Sequence, residues 1–301
     1  MASSRFIKDT GLTVRMTTVM FLLGALFVGL IVVLMYALPQ YALFIGLGGI
    51  GIAFYQWWNS DKSAMRAMRA REVSPEEAPE LHGIVDRLCA LADMPKPRVG
   101  IADMDIPNAF ATGRSPDRAV VCVTTGILGK LSPEELEAVL AHELSHVAHR
   151  DVLVMTVAAS AGIVAGMLAR GAQFGALSGR SRSKEGAIGV LGALAISLVI
   201  YAISFFLLRL LSRYRELAAD RAAAHLTFKP AALASALQKI SGEIATIPQH
   251  DLRTSKAMNA FFIAPAISGA SLKTLTSTHP SLEQRLEQLA RIQAELGRPD
   301  A

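Results

Sequence analysis

From Met16 to Ser60 the chain carries no charged side chain. A run of that length crosses a bilayer twice if it is broken once. Pro39-Gln40 supplies the break, so two spans are expected, over Thr17–Leu38 and Tyr41–Trp58, with Trp57 and Trp58 at an interface where indole rings are favoured. A cleavable signal peptide fits poorly, because no small-residue cleavage site ends the run before the second span. The composition agrees, with 52% apolar and only 18% charged residues, an excess that membrane spans explain. Arg5, Lys8 and Arg15 precede the first span, and Lys62, Arg66, Arg69 and Arg71 follow the second. The positive-inside rule therefore puts both ends of the hairpin, and the domain after it, in the cytoplasm.

Two further uncharged stretches, Val152–Ala169 and Ala187–Leu208, are each long enough to span. Between them Arg170, Arg180, Arg182 and Lys184 face only Glu185. If both stretches cross, this basic loop lies outside, against the positive-inside rule, so a re-entrant or interface-lying hairpin is the alternative. The expected organisation is a transmembrane hairpin (1–60), a first cytosolic part (61–151), a second hydrophobic hairpin (152–210) and a second cytosolic part (211–301). The net charge of +5 suits anionic headgroups beside the spans, and no nucleic-acid motif accompanies it. Cys89 and Cys122 are too few for a disulfide framework and read as small buried thiols of a reducing compartment.

The chemistry concentrates in Ala141-His142-Glu143-Leu144-Ser145-His146. On a helix, His142 and His146 project from one face about a turn apart, so two imidazoles can close on one metal ion. In the H-E-x-x-H arrangement the glutamate takes a proton from water that the metal has made acidic, which assigns Glu143 as general base. The local context is helical. Ser132 reads as an N-cap, Pro133 as the first turn and Glu135 as the partner of a capping box, while Leu136, Val139, Leu140, Leu144 and Val147 form the buried face.

A catalytic zinc site with two histidines needs a third protein ligand. Glu216 is the candidate, and Asp220, four residues on, could accept the free ring N–H of a liganding histidine. The competing reading is a solvated helix face paired to Arg213, Arg215 or Arg221. His149 lies about 10 Å of helical rise from His142, too far to share one ion with it. His82, His225 and His250 have no motif around them; His279 reads either as a donor to a developing oxyanion or as a structural residue before the last helix.

Around the motif, Leu81–Ala92 is amphipathic, Arg98–Ala102 and Ala119–Thr124 are β-prone, and Asn108–Gly113 reads as a strand and its turn. Helices are expected from about Pro230 to Ile244 and from Pro280 to about Leu296. The fold class is therefore mainly α with a small β-sheet, in an integral membrane protein.

Four blocks stand in order: the paired N-terminal spans, Asn108-Ala109-Phe110-Ala111-Thr112-Gly113, the H-E-x-x-H helix, and Arg215-Glu216 with Asp220. Together with Ser277-Thr278-His279-Pro280 they resemble the HtpX-type membrane zinc endopeptidases, relatives of the CAAX prenyl proteases. One departure is His149-Arg150 before Asp151, where the family usually has a small or amide pair, often Asn-Gly. The resemblance implies a zincin-like metallopeptidase domain with one zinc ion held by His142, His146 and Glu216, and Glu143 as base. It also implies that Asn108, Ala109, Phe110, Ala111 and Thr112 form an edge strand on which substrate backbone is laid, which suits extended peptides of any sequence. The expected activity is cleavage of misfolded or membrane-associated proteins at the cytosolic face of the bacterial inner membrane, in quality control and stress response. Because the metal-bearing residues flank the second hydrophobic pair, zinc should lie within roughly 10 Å of the membrane face. The rivals are a prenyl-protein-type peptidase and a non-catalytic membrane scaffold that binds peptides. The partners implied are protein substrates and the bilayer; a homo-oligomer is compatible with the sequence and not implied by it.

Overall fold

The computed structural model of the chain describes residues 10–37, 39–156, 158, 184–246 and 279–297. The uncharged run folds as two helices, α1 (Thr10–Ala37) and α2 (Pro39–Trp58). Pro39 opens the second helix, where its missing N–H costs nothing. The first begins at Thr10, seven residues earlier than its apolar composition indicated. Over the described side chains alone, no helix is long and apolar enough to cross a membrane. Most of the stretch Val152–Ala169, and the loop carrying Arg170, Arg180 and Arg182, lie outside the described residues.

The chain divides into two compact units. One is drawn from Thr13–Trp58 and Leu153–Ser212, the other from Met1–Leu12, Asn59–Val152 and Arg213–Ala301. The second of these holds the sheet and every residue singled out for chemistry. Its elements begin with α3 (Ser60–Ala67), β1 (Ala70–Glu72), α4 (Pro79–Ala92), β2 (Arg98–Ala102) and β3 (Ala109–Thr112). After the 3-10 turn Pro116–Arg118 come β4 (Val120–Thr124), α5 (Thr125–Lys130), α6 (Pro133–Ala148) and the portion of α7 (Lys184–Thr227) that follows Ser212. The unit closes with α8 (Pro230–Thr246) and α9 (Leu282–Leu296).

The four strands form one mixed sheet in the order β1-β2-β4-β3. β2 and β4 are parallel, with Val99 beside Val121 and Ile101 beside Val123, and β1 and β3 run antiparallel along the two edges. β4 is buried along its whole length, which accounts for its run of Val120, Val121, Cys122 and Val123. β1 was not legible as a strand, since Arg71 and Glu72 interrupt any apolar pattern; it pairs because it lies beside β2, where Arg98 reaches Glu72 and Asp61, each at 2.5 Å. The core lies between sheet and helices. Val85 and Leu88 of α4, Val121 and Val123 of β4, Val139, Leu140 and Leu144 of α6, Leu233 and Leu237 of α8 and Leu289 of α9 make one continuous cluster.

β3 is placed by its neighbours rather than by its own four residues. Thr124 Oγ1 accepts from the N–H of Asn108 (2.9 Å) and donates to Ile106 O (2.8 Å), and Thr124 N donates to Asn108 O (2.9 Å). With that pair bonded, the alternation of an antiparallel ladder turns the N–H and C=O of Phe110 and Thr112 toward β4 and those of Ala109 and Ala111 away from it. The segment leading into β3 also packs directly on Gly126, where a Cβ would come within 2.0 Å of Asp105 O. Gly126→Ala is therefore expected to destabilise the fold by about 1–3 kcal/mol, as overpacked sites do. Gly129→Ala, on the same short helix with nothing within 4 Å, is the control and should leave the thermal midpoint unchanged or slightly raised. Thermal unfolding of the two purified variants decides the matter.

Candidate metal centre

The centre is built on α6, and the helix is fixed before its functional residues begin. Ser132 Oγ accepts from Glu135 N, and the Glu135 carboxylate accepts from Ser132 N at 2.9 Å, closing the expected capping box. The same carboxylate takes Ser235 Oγ (2.6 Å) and Lys239 Nζ (2.8 Å) from α8. Two residues on, Glu137 binds Arg87 of α4 (2.7 Å) and Lys229 (3.1 Å). These ties flank the apolar face of Leu136, Val139 and Leu140 on both sides and fix the rotation of α6.

That orientation buries His142 and Glu143, and brings the Nε2 atoms of His142 and His146 to 3.3 Å from each other. The Nδ1 atoms behind them are already engaged: His142 with Asp220 at 2.9 Å, and His146 with Asp151 at 2.5 Å. A ring that donates from Nδ1 presents a lone pair at Nε2. Two such lone pairs facing each other call for a cation. Glu216 closes the third side, with Oε1 3.5 Å from His146 Nε2 and Oε2 3.7 Å from His142 Nε2. Oε2 is buried and receives no aligned hydrogen bond among the described residues, although His279 Nδ1 stands 3.0 Å away. One atom from each of His142, His146 and Glu216 fits within a 4.8 Å group, so these three residues could hold a metal ion. Two imidazoles and a carboxylate are a donor set that suits zinc.

The electrostatics describe what the residues do without a metal. Burial opposes a charge on His142, but Asp220 and Glu216 outweigh it and raise its pKa to about 9, so a proton occupies the place a cation would take. Burial likewise disfavours the charge on Glu216, yet His279, His142 and His146 hold its carboxyl well below the usual range. Asp151 is lowered too, by Arg215 and His146 against the cost of burial. Glu143 goes the other way: burial is the dominant effect, and it raises the carboxyl above its ordinary value. Its Oε2 accepts a hydrogen bond from Ala111 N at 3.1 Å, which ties the carboxylate to the outer edge of β3.

The structure thus brings together His142, Glu143, His146, Glu216, Asp220 and His279, with β3 in front of them. Asp220 is bonded to Arg285 rather than to the neighbouring arginines of its own helix, and Arg215 is paired with Asp151. His149 turns its Nδ1 to Ser145 O at 2.7 Å and is exposed, outside the ligand group. His82 bonds Val73 O, and His250 lies outside the described residues. Three partners were not legible beforehand: Asp151, Arg215 as its cation, and Arg285. The signal for Asp151 was present, since it stands five residues after His146, just past the helix end.

A centre of this composition, with a carboxylate of raised pKa beside it, is equipped to hydrolyse acyl bonds, and the strand edge tied to that carboxylate suits peptide backbone. The class so defined is that of the metallopeptidases. Comparison with known proteins narrows it: the profile of peptidase family M48 matches residues 75–293, and the chain belongs to that family. It is 54% identical over 300 residues to "Protease HtpX homolog 1" of Streptomyces coelicolor, a match covering 99% of this chain and 98% of the relative. It is 50% identical to "Protease HtpX homolog" of Moorella thermoacetica, over 96% of this chain and 97% of that one. Among solved structures it resembles that of S. mikatae Ste24p, with a TM-score of 0.57 at 18% identity, covering 92% of this chain and 65% of that one. That last likeness is one of fold. The protein is a metalloprotease.

The raised His142 pKa has a consequence for the metal-stripped protein. A group whose pKa rises on folding contributes stability that is complete below its unfolded value, near 6.5, and is lost as pH climbs through the folded one, about 9. Glu143, raised by burial, acts in the same direction. Chelated protein is therefore expected to lose stability steadily from pH 6.5 to 9, by an amount on the order of 3 kcal/mol. Zinc binding, which needs neutral rings, should strengthen over the same range. Urea midpoints with chelator and with zinc, compared across this window, test both slopes.

Proposed function

We propose that the protein is a membrane-bound, zinc-dependent endopeptidase that cleaves misfolded or membrane-associated proteins at the cytosolic face of a bacterial inner membrane. The observation that carries the reading is the pair of histidine Nε2 atoms 3.3 Å apart, each ring held at Nδ1 by its own aspartate, with Glu216 closing the third side. His142, His146 and Glu216 would hold one zinc ion. When bound, zinc supplies Lewis acidity toward water and toward the scissile carbonyl.

The rest of the chemistry belongs to the chain. Glu143, buried and with its pKa raised, is suited to take a proton from the attacking water and to return it to the leaving amine. Its bond to Ala111 N fixes one carboxylate oxygen and leaves the other to act. Substrate backbone adds to β3 along the outward N–H and C=O of Ala109 and the outward C=O of Ala111, within the segment Asn108–Thr112, so that a peptide laid there runs past Glu143, which holds the Ala111 N–H. Asp220 fixes the tautomer of His142. His279, 3.0 Å from Glu216, is near enough to the ligands to serve a developing oxyanion.

The membrane reading is supported by the uncharged run from Met16 to Ser60, helical at every described residue but Asn59, and by Phe21, Phe44, Leu47 and Phe54, each more than half exposed. Apolar exposure on this scale marks a surface that something apolar covers. The basic flanks support a cytosolic peptidase domain. The four-part organisation at 1–60, 61–151, 152–210 and 211–301 belongs to the same proposal, as does a site close to the bilayer. Juxtamembrane segments of misfolded membrane proteins are then the preferred substrates.

Wild type purified under chelator and reloaded with zinc is expected to cleave an unfolded protein. Glu143→Gln should take up zinc with similar affinity and lose roughly 10²–10⁴-fold in kcat, the range general-base catalysis supplies. His146→Ala should fail to hold zinc. Zinc-dependent cleavage by Glu143→Gln at the wild-type rate would remove Glu143 from the mechanism. Given a membrane protein with a long soluble tail, the enzyme should cut near the bilayer; cuts confined to the far tail would refute the siting.

A further inference from the structure

The two imidazoles that face the proposed metal position are held from behind in the same way, by parts from different regions of the chain. His142 Nδ1 meets Asp220, and Asp220 is gripped by Arg285 through Nε at 2.7 Å and Nη2 at 2.6 Å. His146 Nδ1 meets Asp151, and the same Asp151 oxygen takes Arg215 Nη2 at 2.7 Å. Arg215 sits beside Glu216 on α7, while Arg285 comes from α9 with a side chain only 3% exposed. A fully buried guanidinium is expensive to desolvate and is retained where a specific partner requires it.

Charge gives the reason. Glu143, Asp151, Glu216 and Asp220 are all buried, so the ionised site carries four negative charges. A divalent ion cancels two of them. Arg215 and Arg285 cancel the remaining pair, and Arg285 also stands 3.9 Å from Glu216 Oε2. Loss of either guanidinium leaves a buried carboxylate unmatched and frees the aspartate to turn away from its histidine. The two grips are unequal. Asp220 is held by both of its oxygens in a fork, whereas Asp151 is held by one, and its Oδ1 has no hydrogen-bond partner among the described residues.

We propose that Arg285 and Arg215 are positioning residues of the metal centre, each orienting the aspartate that sets the tautomer and direction of one histidine. Together they balance the charge of the ligand set, with Arg285 the stronger of the two. This rests on the reading of His142, His146 and Glu216 as the zinc ligands. Arg285 thereby makes the last helix part of the centre.

The test uses the full chain in detergent, stripped of metal and reloaded with cobalt for spectroscopy or zinc for kinetics, as wild type, Arg285→Gln, Arg285→Lys and Arg215→Gln. Zinc affinity is read by competition with a chromophoric chelator. Arg285→Gln is expected to weaken zinc roughly ten- to a hundredfold, the usual effect of losing a partner behind a metal ligand. It should also displace the cobalt absorption band and, at saturating zinc, lower kcat with little change in KM. Arg285→Lys keeps the charge without the fork, so it should recover affinity better than it recovers the cobalt band. Arg215→Gln should show the same pattern, more weakly. Arginines that only stabilise the fold would lower the thermal midpoint and leave the band, the affinity and kcat at wild-type values, and that result overturns the proposal. If Arg285→Gln does not fold, Arg285→Lys decides: a displaced band supports the proposal and a wild-type band overturns it. A wild type that takes up neither cobalt nor zinc refutes the ligand reading itself, visibly so before any arginine is changed, and takes this inference with it.

Discussion

Two imidazole lone pairs pointed at each other across 3.3 Å repel, and the site is arranged so that they have nowhere else to go. Each ring is pinned at Nδ1 by a buried carboxylate, and the helix that carries both rings is clamped on α4 and α8. Turning either ring about its own side-chain torsions would relieve the repulsion, but it would break the bond of His142 to Asp220 or of His146 to Asp151. Only a cation between the rings resolves the conflict. In its absence a proton on His142 does so, held there against burial by Asp220 and Glu216, which raise the pKa of that ring to about 9.

The same clamp sets what stands next to the ion. Glu143 follows His142 directly, so any orientation that directs His142 inward carries Glu143 toward β3. There the N–H of Ala111, turned away from β4 by the strand's alternation, meets the carboxylate. The proposed base and the proposed substrate strand are therefore one hydrogen-bonded unit, and a peptide aligned by one is placed relative to the other. The raised pKa of Glu143 comes from the same burial that shields the site from water.

What the sequence revealed and what it hid divide along the range of the interactions. The capping box at Ser132, the strand Arg98–Ala102 and the turn spacing of His142 and His146 depend on neighbours in the chain, and patterns of that kind are readable directly. β1 is three residues with two charges and becomes a strand only because β2 is there to pair with it. The same holds for the partners of the aspartates. On local spacing Asp220 should pair with an arginine of its own helix, yet its cation arrives from α9, 65 residues away, and the arginine beside Glu216 goes to Asp151. Nothing in either short window distinguishes Arg285 from a surface arginine on an amphipathic helix. Its near-complete burial distinguishes it.

The compact unit holding this site is discontinuous in the chain. His142, Glu143, His146 and Asp151 precede the segment 153–212 that belongs to the other unit, while Arg215, Glu216, Asp220, His279 and Arg285 follow it. Neither half is a site by itself. The first offers two facing imidazoles without a closing carboxylate, and the second offers the carboxylates of Glu216 and Asp220 without the two imidazoles they face. Asp220 in particular is anchored only when both His142 and Arg285 are present, one from each side of the inserted segment. A peptidase assembled this way cannot form the proposed metal centre until the residues on either side of the segment 153–212 have met. The proposed ligand set would therefore report on completion of the fold, with metal affinity and folding of this unit coupled in one equilibrium.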